Sequence, residues 1–278
     1  MTIRLIARSV WQNPGNRGKR LQRTIAALAW QLRKRCCQSP SIKQLPNGVL
    51  FKLYPDCVVS SALVYADWPD YHELMFLRRT LRHDDVMLDV GAHAGHISSL
   101  LGDVVAPGNI VAFEPTPVSF HRLLENWQLN GWRADGLLQV AVGAEAGHVF
   151  IRDIDRPVTT NAVTSRPDFQ DSVRVPLVCL DDLCDLWAGR SIGLLKIDVE
   201  GYEAEVFRGS RHLLRRNRPR IIMFESLART LDEAIGALLA DCDYTVFQLD
   251  ATGRPDFAAQ AAQNLFAVPA ECREQLGD

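Results

Sequence analysis

The sequence of 278 residues is 47% hydrophobic and 23% charged, a balance typical of globular proteins that excludes a fibrous or largely disordered chain. A net charge of -2 gives no reason to expect nucleic acid as a partner. No run of about 18 apolar residues is present, which argues against a membrane-spanning helix.

The N-terminal part of the chain is strongly basic. Residues 1–55 contain eleven Lys and Arg and no acid, which leaves 20 of the 31 basic residues for the rest of the chain, against all 33 acids. Residues 24–32 (TIAALAWQL), between basic clusters, predict an amphipathic helix that lies on an anionic membrane or an acidic partner, or packs on its own domain. We therefore expect a basic helical extension over 1–45 and a main domain over 46–278.

The seven cysteines cannot all pair, and none has the CxxC or Cys/His spacing of a metal site. Scattered free thiols are typical of a reducing compartment. We expect a cytoplasmic protein, in peripheral contact with the inner face of the membrane if the basic extension binds lipid. The sequence does not indicate an oligomeric state.

Short apolar runs alternate with helical patterns along the main domain. A strand over 48–59 and a helix over 71–81 come first. The alternation that follows consists of strands at 86–91, 109–115, 137–143, 194–201 and 220–225 and helices at 95–102, 118–129 and 203–215. Strands that alternate with helices predict an α/β fold, a doubly wound and mostly parallel sheet covered on both faces.

Two segments depart from this alternation. Residues 148–182 contain two strand-like runs joined by a polar loop, which predicts an inserted pair of strands. After a helix over 230–242, two strands at 244–250 and 264–269 are joined through the turn ATGR. They predict an antiparallel hairpin at the edge of the sheet.

A glycine turn follows the first strand of the alternation. In DVGAHAGHIS (89–98), Gly91 and Gly95 permit a tight turn into a helix whose N–H groups point toward a ligand. The spacing G-x-x-x-G differs from the G-x-G-x-x-G fingerprint that holds a pyrophosphate. Glu114, 23 residues beyond Gly91, ends the next strand, where an acid can accept hydrogen bonds from ribose hydroxyls. The pattern predicts a nucleoside site without a phosphate clamp, which suits S-adenosyl-L-methionine.

Five stretches together resemble the FkbM-type methyltransferase family, a class I S-adenosylmethionine-dependent group. They are LDVGAHAGHIS, VAFEPTPVSFHRLLENWQLNG, LLKIDVEGYEAEVFRGS, RPRIIMFE and NLFAVP, and the resemblance runs from about residue 48 to 269. It implies a seven-stranded Rossmann-like sheet with a reversed last strand, and O-methylation of a hydroxyl on a sugar, polysaccharide precursor or other natural product. The family commonly has Asn at the position of His93 and an aromatic residue at that of His96. We expect the cofactor to contact Asp89, Gly91, Ala92, His93, Gly95, Glu114 and Pro115.

Charged residues occupy alternate positions near the end of the fourth parallel strand, where Lys196, Asp198 and Glu200 project to one side. A hydroxyl is a poor nucleophile at neutral pH, so a carboxylate should take its proton as methyl transfer proceeds. We expect Asp198 and Glu200 to bind and deprotonate the hydroxyl, in either assignment, and Lys196 to hold charge balance or to orient a substrate oxygen.

Three further interpretations stay open at this point. Glu225 and Asn161 are expected to contact the acceptor, a small molecule or glycan with a free hydroxyl. A divalent cation shared by Asp198, Glu200 and Glu225 is an alternative to direct proton removal, although no metal is the first expectation. A solvated edge strand, or an internal salt bridge between Lys196 and a neighbouring acid, would give the charged strand a purely structural role. Alternative functions are an NAD-dependent oxidoreductase on the same sheet and a non-catalytic methyltransferase-like binding module.

Overall fold

The computed structural model describes residues 3–152, 163–164, 172–187 and 189–276. Its α-helices, in chain order, are α1 (Ile3–Gln12), α2 (Arg20–Cys36), α3 (Val58–Tyr65), α4 (Tyr71–Thr80), α5 (His96–Leu101), α6 (Pro117–Leu129), α7 (Glu203–Arg208), α8 (Arg211–Arg216) and α9 (Glu233–Asp241). Short 3₁₀ segments lie at Pro14–Asn16, Pro107–Asn109, Leu180–Trp187, Ala270–Cys272 and Glu274–Leu276. Within these described ranges, no helix combines the length and the apolar content needed to cross a membrane.

The strands of the described residues belong to three sheets. In chain order they are β1 (Ser41–Gln44), β2 (Leu50–Leu53), β3 (Val86–Val90), β4 (Ile110–Phe113), β5 (Leu137–Leu138), β6 (Ala141–Val142), β7 (Gly147–Arg152), β8 (Val163–Thr164), β9 (Ser172–Val178), β10 (Ile192–Ile197), β11 (Ile221–Glu225), β12 (Tyr244–Leu249), β13 (Pro255–Asp256) and β14 (Asn264–Pro269). Strands β1 and β2 form an antiparallel pair.

The central sheet has the order β13-β12-β14-β11-β10-β3-β4-β5. Strands β5, β4, β3, β10 and β11 are parallel neighbours, whereas β14 is antiparallel to both β11 and β12. The predicted α/β fold with a parallel sheet and an antiparallel C-terminal hairpin is confirmed. The two-residue β13, which pairs with β12 at the edge, is an addition to the seven strands that the resemblance implies.

The sheet has an apolar core on each face because successive strand residues point in opposite directions. On β3, Val86, Leu88 and Val90 join one core with α7, α8 and α9, whereas Met87 joins the other core with α1 to α6. Asp89, the next residue on the Met87 face, is fully buried. A charged residue in this position needs a buried partner, and the sheet supplies one.

The inserted segment forms a separate small sheet of order β6-β9-β7-β8. Strands β7 and β9 are antiparallel along their whole length, from Gly147 opposite Leu177 to Arg152 opposite Ser172. These two strands correspond to the strand-like runs predicted within 148–182. The intervening residues 153–162 and 165–171, which include Asn161, lie outside the described part of the chain.

Two expected elements differ from the structure. The predicted strand over 48–59 ends at Leu53, and Val58 and Val59 begin α3, whose Leu63, Val64 and Tyr65 are buried in the core. Burial of this helical face overrides the strand preference of the two valines. The predicted helix over 203–215 is divided into α7 and α8, because Gly209 lies against the backbone of Gly143.

The basic extension is helical and contacts the main domain. Ile6 and Val10 of α1 and Ala27 and Trp30 of α2 belong to the same core as the helices α3 to α6. Its polar side is held by Asp67, whose carboxylate forms ion pairs with Arg23, Lys43 and Lys19. The domain boundary at residue 45 stays a prediction.

Candidate active site

The glycine turn leaves the carboxyl end of β3 and is fixed by its neighbours. The N–H groups of Gly91 and Ala92 both donate to the carbonyl of Phe113, the last residue of β4, at 2.9 and 3.0 Å. Gly91 has φ +77°, and a Cβ atom there would lie 1.8 Å from the carbonyl oxygen of Asp198. Only glycine fits, because the loops after β3 and β10 touch at this point.

Gly95 ends the turn and precedes α5. Its φ is +80°, and a Cβ atom would lie 2.5 Å from Leu123 Cδ1 on α6. The buried amide of Asn126, also on α6, donates to the carbonyl of Ala94 at 3.0 Å. The turn therefore has α6 on one side and the loop after β10 on the other, and both sides restrict its conformation.

Lys196 joins the two loops from inside the sheet. It lies opposite Asp89 in the parallel register of β10 and β3, and only 2% of its surface is exposed. Its Nζ atom is 3.0 Å from Asp89 Oδ1, 3.6 Å from Asp198 Oδ2, and donates to the carbonyl of Gly91 at 2.8 Å. Burial alone would lower the pKa of Lys196, but the negative charges of Asp89 and Asp198 raise it. The internal salt bridge is therefore present. It extends to Asp198, in the loop of residues 198–201 that follows β10, here called the acidic loop.

Asp89 faces the interior and has a second partner. Ser98 Oγ on α5 donates to Asp89 Oδ2 at 2.5 Å. With Lys196 on the other oxygen, the buried carboxylate is compensated on both sides. Asp89 is fully buried and orders the turn from beneath, and its expected contact with the cofactor stays a prediction.

Glu114 ends β4 beside the same turn. Its Oε2 accepts the N–H of His93 at 2.8 Å and its Oε1 accepts the N–H of Thr116 at 2.9 Å. The side chain is buried, and burial raises the pKa of Glu114 although both N–H groups oppose the shift. The Thr116 side chain is a further hydrogen-bond partner of this carboxylate, and the remaining lone pairs are able to accept hydroxyl groups. Pro115, the next residue, is partly buried.

Two histidines of the glycine turn hold buried ring nitrogens. The Nδ1 atoms of His93 and His96 have no hydrogen-bond partner among the described residues. Burial, followed by the positive charges of Arg122 and Lys196, lowers the pKa of His93 to about 4. Burial and the charge of Lys196 lower the pKa of His96 to about 3. Both rings are therefore neutral near pH 7, each with a buried nitrogen available to a ligand.

Three acids meet at the carboxyl ends of β10 and β11. The carboxylate oxygens of Asp198, Glu200 and Glu225 lie within 4.8 Å of one another. Partial loss of surrounding water and the charges of Glu225 and Asp198 raise the pKa of Glu200 to about 7, although the residue is exposed at the surface. Burial and the charge of Asp198 also raise the pKa of Glu225. The three acids could hold a divalent cation through oxygen ligands. Alternatively the group holds a proton, and the raised pKa values of Glu200 and Glu225 favour this second arrangement.

The loop that carries Glu200 is shaped by Glu203, a residue that the sequence does not single out for the site. Glu200 has φ +55° and Gly201 has φ +97°, both left-handed. Glu203, at the start of α7 and buried, accepts the N–H groups of Val199 and Gly201 on its Oε1, each at 3.1 Å. The acid holds Glu200 in a conformation that non-glycine residues rarely adopt.

Asp70 is a second residue that the sequence does not single out. It precedes α4 with φ +46°. Partial loss of surrounding water, followed by the charges of Glu73, Asp198 and Glu225, raises the pKa of Asp70 to about 7, although the residue is exposed at the surface. Asp70 is therefore within electrostatic range of Asp198, which only the folded chain reveals because the two residues are 128 positions apart.

A groove of about 480 Å³ lies on the outer side of α6. Its walls are formed by Lys52, Tyr54, Pro117, Val118, His121, Arg122 and Glu125. The Arg122 guanidinium lies over the Tyr54 ring, 4.6 Å from its centroid, and is paired with Asp56 at 2.5 Å. The positive charge of Arg122 contributes to the lowered pKa of His93, in the glycine turn.

The structure brings most of the expected site residues together. Around the ends of β3, β4, β10 and β11 it gathers Asp89, Gly91, Ala92, His93, Gly95, Glu114, Pro115, Lys196, Asp198, Glu200 and Glu225. Asn161, also expected to contact the acceptor, lies outside the described residues.

Comparison with known proteins places this arrangement in context. A family model described as the methyltransferase FkbM domain matches residues 89–246. The hexuronic acid methyltransferase AglP of Haloferax volcanii is 28% identical over 51% of this chain, and the match covers 56% of that protein. The 31-O-demethyl-FK506 methyltransferase FkbM of Streptomyces tacrolimicus is 29% identical over 61% of this chain and 77% of its own length. A crystal structure of a methyltransferase FkbM from Methylobacillus flagellatus aligns with 89% of this chain and 60% of its own, at 14% identity and a TM-score of 0.44.

Proposed function

This chain belongs to the FkbM methyltransferase family, whose model covers more than half of it, and from that premise we propose that it is an S-adenosyl-L-methionine-dependent O-methyltransferase. The proposed acceptor is a hydroxyl of a sugar, a polysaccharide precursor or another natural product. The observation that carries the proposal is that three acids, Glu114 and the glycine turn all lie at the carboxyl ends of the parallel strands. Ligands of open α/β sheets bind outside these strand ends.

The residues around the glycine turn fit the proposed cofactor. Glu114 offers a carboxylate whose two oxygens are oriented by backbone N–H groups, an arrangement suited to a pair of ribose hydroxyls. The unpartnered Nδ1 atoms of His93 and His96 offer polar contacts to an amino-acid end. When bound, the cofactor supplies an electrophilic methyl group on a sulfonium.

Glu200 is the proposed general base. With a pKa of about 7, its carboxylate is half deprotonated near neutral pH, where a base is most effective. A Glu200 oxygen would take the proton of the acceptor hydroxyl as that hydroxyl oxygen accepts the methyl group, which the cofactor would supply while keeping the bonding electron pair on its sulfur. Asp198 is less suited to this step because its carboxylate is already ion-paired with the Lys196 ammonium, 3.6 Å away.

Asp198 and Lys196 are proposed to position the acceptor. Lys196 is buried and already contacts Asp89, Asp198 and the Gly91 carbonyl, so it fixes the Asp198 carboxylate rather than meeting the acceptor itself. Asp198 is then able to accept a second hydroxyl of the acceptor. Glu225, beside Asp198 and Glu200, and Asn161 are also proposed to contact the acceptor.

A carbohydrate is the acceptor class we favour. The archaeal relative is named for methylation of a hexuronic acid, a sugar with several hydroxyl groups. The other relative is named for a macrocyclic natural product, so that class is kept as the second candidate. The G-x-x-x-G spacing and the family membership both disfavour the NAD-dependent oxidoreductase and leave the binding module as the remaining alternative.

Isothermal titration with S-adenosylhomocysteine and with NAD tests the cofactor. We expect S-adenosylhomocysteine to bind and NAD not to bind. Replacing Glu114 by Gln should weaken the binding of S-adenosylhomocysteine at least about tenfold, because roughly one charge-assisted hydrogen bond is lost. The control Glu145→Gln, at an exposed position, should leave the affinity unchanged. Tight NAD binding, or no effect of Glu114→Gln, would refute the assignment.

A methyl-transfer assay tests the activity itself. Radiolabelled S-adenosylmethionine is incubated with uronic-acid glycosides and with neutral glycosides, and the methylated product is identified by mass spectrometry. We expect an O-methyl sugar. Cofactor binding without transfer to any hydroxylated acceptor would favour the non-catalytic binding module.

A further inference from the structure

Helix α2 exposes an apolar face. Leu21, Ile25, Leu28 and Leu32 have 73%, 60%, 49% and 62% of their surfaces exposed. They are separated by four, three and four residues, a spacing that aligns side chains along one side of a helix. Over these twelve positions the line is about 16 Å long at a rise of 1.5 Å per residue. The helix therefore has an aliphatic stripe directed away from the domain.

The side of α2 that meets the domain makes both apolar and polar contacts. Ala27 and Trp30 are buried in the core. Arg23 is ion-paired with Asp67, Gln31 donates to the Tyr65 hydroxyl, and Lys34 donates to Ser61 Oγ at 3.2 Å. These contacts fix one side of the helix against the domain. The aliphatic stripe is therefore a second apolar side, which faces outward where a surface helix normally carries polar residues.

An exposed tryptophan lies beside the start of the stripe. Trp11, at the end of α1, has 52% of its surface exposed, and the Arg20 guanidinium lies over its ring at 5.5 Å from the centroid. Tryptophan is enriched at the interface between lipid and water, where its ring is partly apolar and its N–H remains hydrated. Trp11 and the stripe together form an apolar surface with an interfacial aromatic at one end.

The charge around the stripe selects its partner. Arg17 and Lys19 precede α2, Arg35 lies in its last turn, and all three are exposed. No acid occurs before Asp56, so a second copy of this segment would bring cations against cations. An anionic lipid surface complements both properties, because headgroups attract the cations and acyl chains accept the leucines.

We propose that α2 docks the protein on an anionic membrane, with Leu21, Ile25, Leu28 and Leu32 inserted at the interface and Trp11 at its edge. The proposal is independent of the reaction, because none of these residues belongs to the acidic site.

Sedimentation of the full chain with lipid vesicles tests the proposal. We expect it to pellet with vesicles that contain phosphatidylglycerol, not with pure phosphatidylcholine, and less at high salt, where exposed charges are screened. The double substitution Ile25→Glu and Leu32→Glu should reduce binding at least about tenfold, since two aliphatic insertions are replaced by charges. Leu186→Glu is the matched control, an exposed leucine on the other side of the central sheet, and should bind like the parent.

Two further measurements keep the result decisive. Thermal melting should give the same midpoint for the double variant and the parent, because both substituted side chains are exposed. If the midpoint of the double variant is lower, the sedimentation is repeated with the double substitution Leu21→Gln and Leu28→Gln. Reversal of charge at Arg17 and Arg35 to Glu should also abolish binding. Unchanged sedimentation of the variants, equal binding to neutral vesicles, or a dimer in solution that Ile25→Glu and Leu32→Glu dissociate would overturn the proposal.

Discussion

Lys196 and Asp89 are cross-strand neighbours on adjacent parallel strands, and their charged atoms, Nζ and Oδ1, lie 3.0 Å apart with both side chains buried. Parallel strands rarely carry charge at their centre, because two ions must leave water together. The pair is nevertheless placed where β3 and β10 end, beneath the glycine turn and the acidic loop. It connects the expected cofactor site with the expected acceptor site.

Replacing Lys196 by Met should destabilise the protein by about 3–5 kcal/mol, because it leaves the Asp89 carboxylate buried without its cation. Urea unfolding measures the change in the free energy of unfolding. The exposed pair of Arg215 and Asp241 provides the control, since Arg215→Met should cost about 1 kcal/mol or less. Equal effects of the two substitutions would mean that burial of the Lys196 pair has no energetic weight.

Replacing Gly91 by Ala should abolish cofactor binding and destabilise the fold by about 2–5 kcal/mol, since the left-handed backbone and the contact with the Asp198 carbonyl both oppose a Cβ atom. Gly131 is the matched control because it is also left-handed, φ +67°, but has nothing within 4 Å. Gly131→Ala should cost only the backbone strain, about 1–2 kcal/mol. Titration with S-adenosylhomocysteine and urea unfolding report the two effects.

The rate of methyl transfer should depend on the protonation of Glu200. Its pKa is raised from 4.5 to about 7, and the base acts only when deprotonated. The value of kcat/KM should therefore fall about tenfold per pH unit below pH 7 and level off above it. A profile that is flat from pH 5 to 8 would exclude Glu200 as the base.

Replacing Glu200 by Gln should lower kcat about 10²- to 10⁴-fold and leave the fold intact. The raised pKa means that the charged form of Glu200 costs stability, which is lost as pH rises from 4.5 through about 7, so the variant should be slightly more stable at pH 8. Glu205→Gln, in the following helix, is the control with unchanged rate. If Asp198→Asn abolished activity and Glu200→Gln did not, the base would be Asp198.

Glu203 should affect catalysis through the loop that it holds. Glu203→Ala removes the acceptor for the N–H groups of Val199 and Gly201 and frees Glu200 from its left-handed conformation. We expect kcat to fall with a smaller change in cofactor affinity, and Glu203→Gln, which keeps one acceptor oxygen, to restore much of the rate. A loss of folding in both variants without a difference in rate would indicate a purely structural role.

A chelator distinguishes proton removal from metal assistance. A cation shared by Asp198, Glu200 and Glu225 would stabilise their charged forms and move the midpoint of the pH profile well below 7. We expect the midpoint and the rate to be the same in EDTA and in millimolar Mg²⁺. Activity that is lost in EDTA and restored by Mg²⁺ would assign the three acids to a metal.

Much of the site follows from periodicity in the sequence. The alternation of strands and helices places Gly91, Glu114, Asp198 and Glu225 on the same side of the fold, because the carboxyl ends of parallel strands lie together there. The period of two also places Lys196 and Asp198 on one side of β10. Local spacing was sufficient for these residues because each follows directly from a strand end.

Other parts depend on contacts that local sequence does not encode. The role of Glu203 requires the left-handed backbone of Glu200, and Asp70 reaches the acids only through the packing of α4. The orientation of α2 is similar, since an amphipathic pattern gives two faces and does not determine which one is buried. Asp67, which fixes that orientation, is remote from α2 in the sequence.

The carbonyl of Asp198 occupies the space that a side chain at residue 91 would need, although 107 positions separate the two residues. Homologous recombination with a crossover between them would combine halves from different parents. Such a hybrid has one loop from each parent. If the backbone paths of the two parents differ at either loop, the atoms at residues 91 and 198 clash, and the hybrid does not gain a new specificity. Exchange of acceptor preference among relatives should therefore proceed by transfer of both loops together or by substitutions outside them.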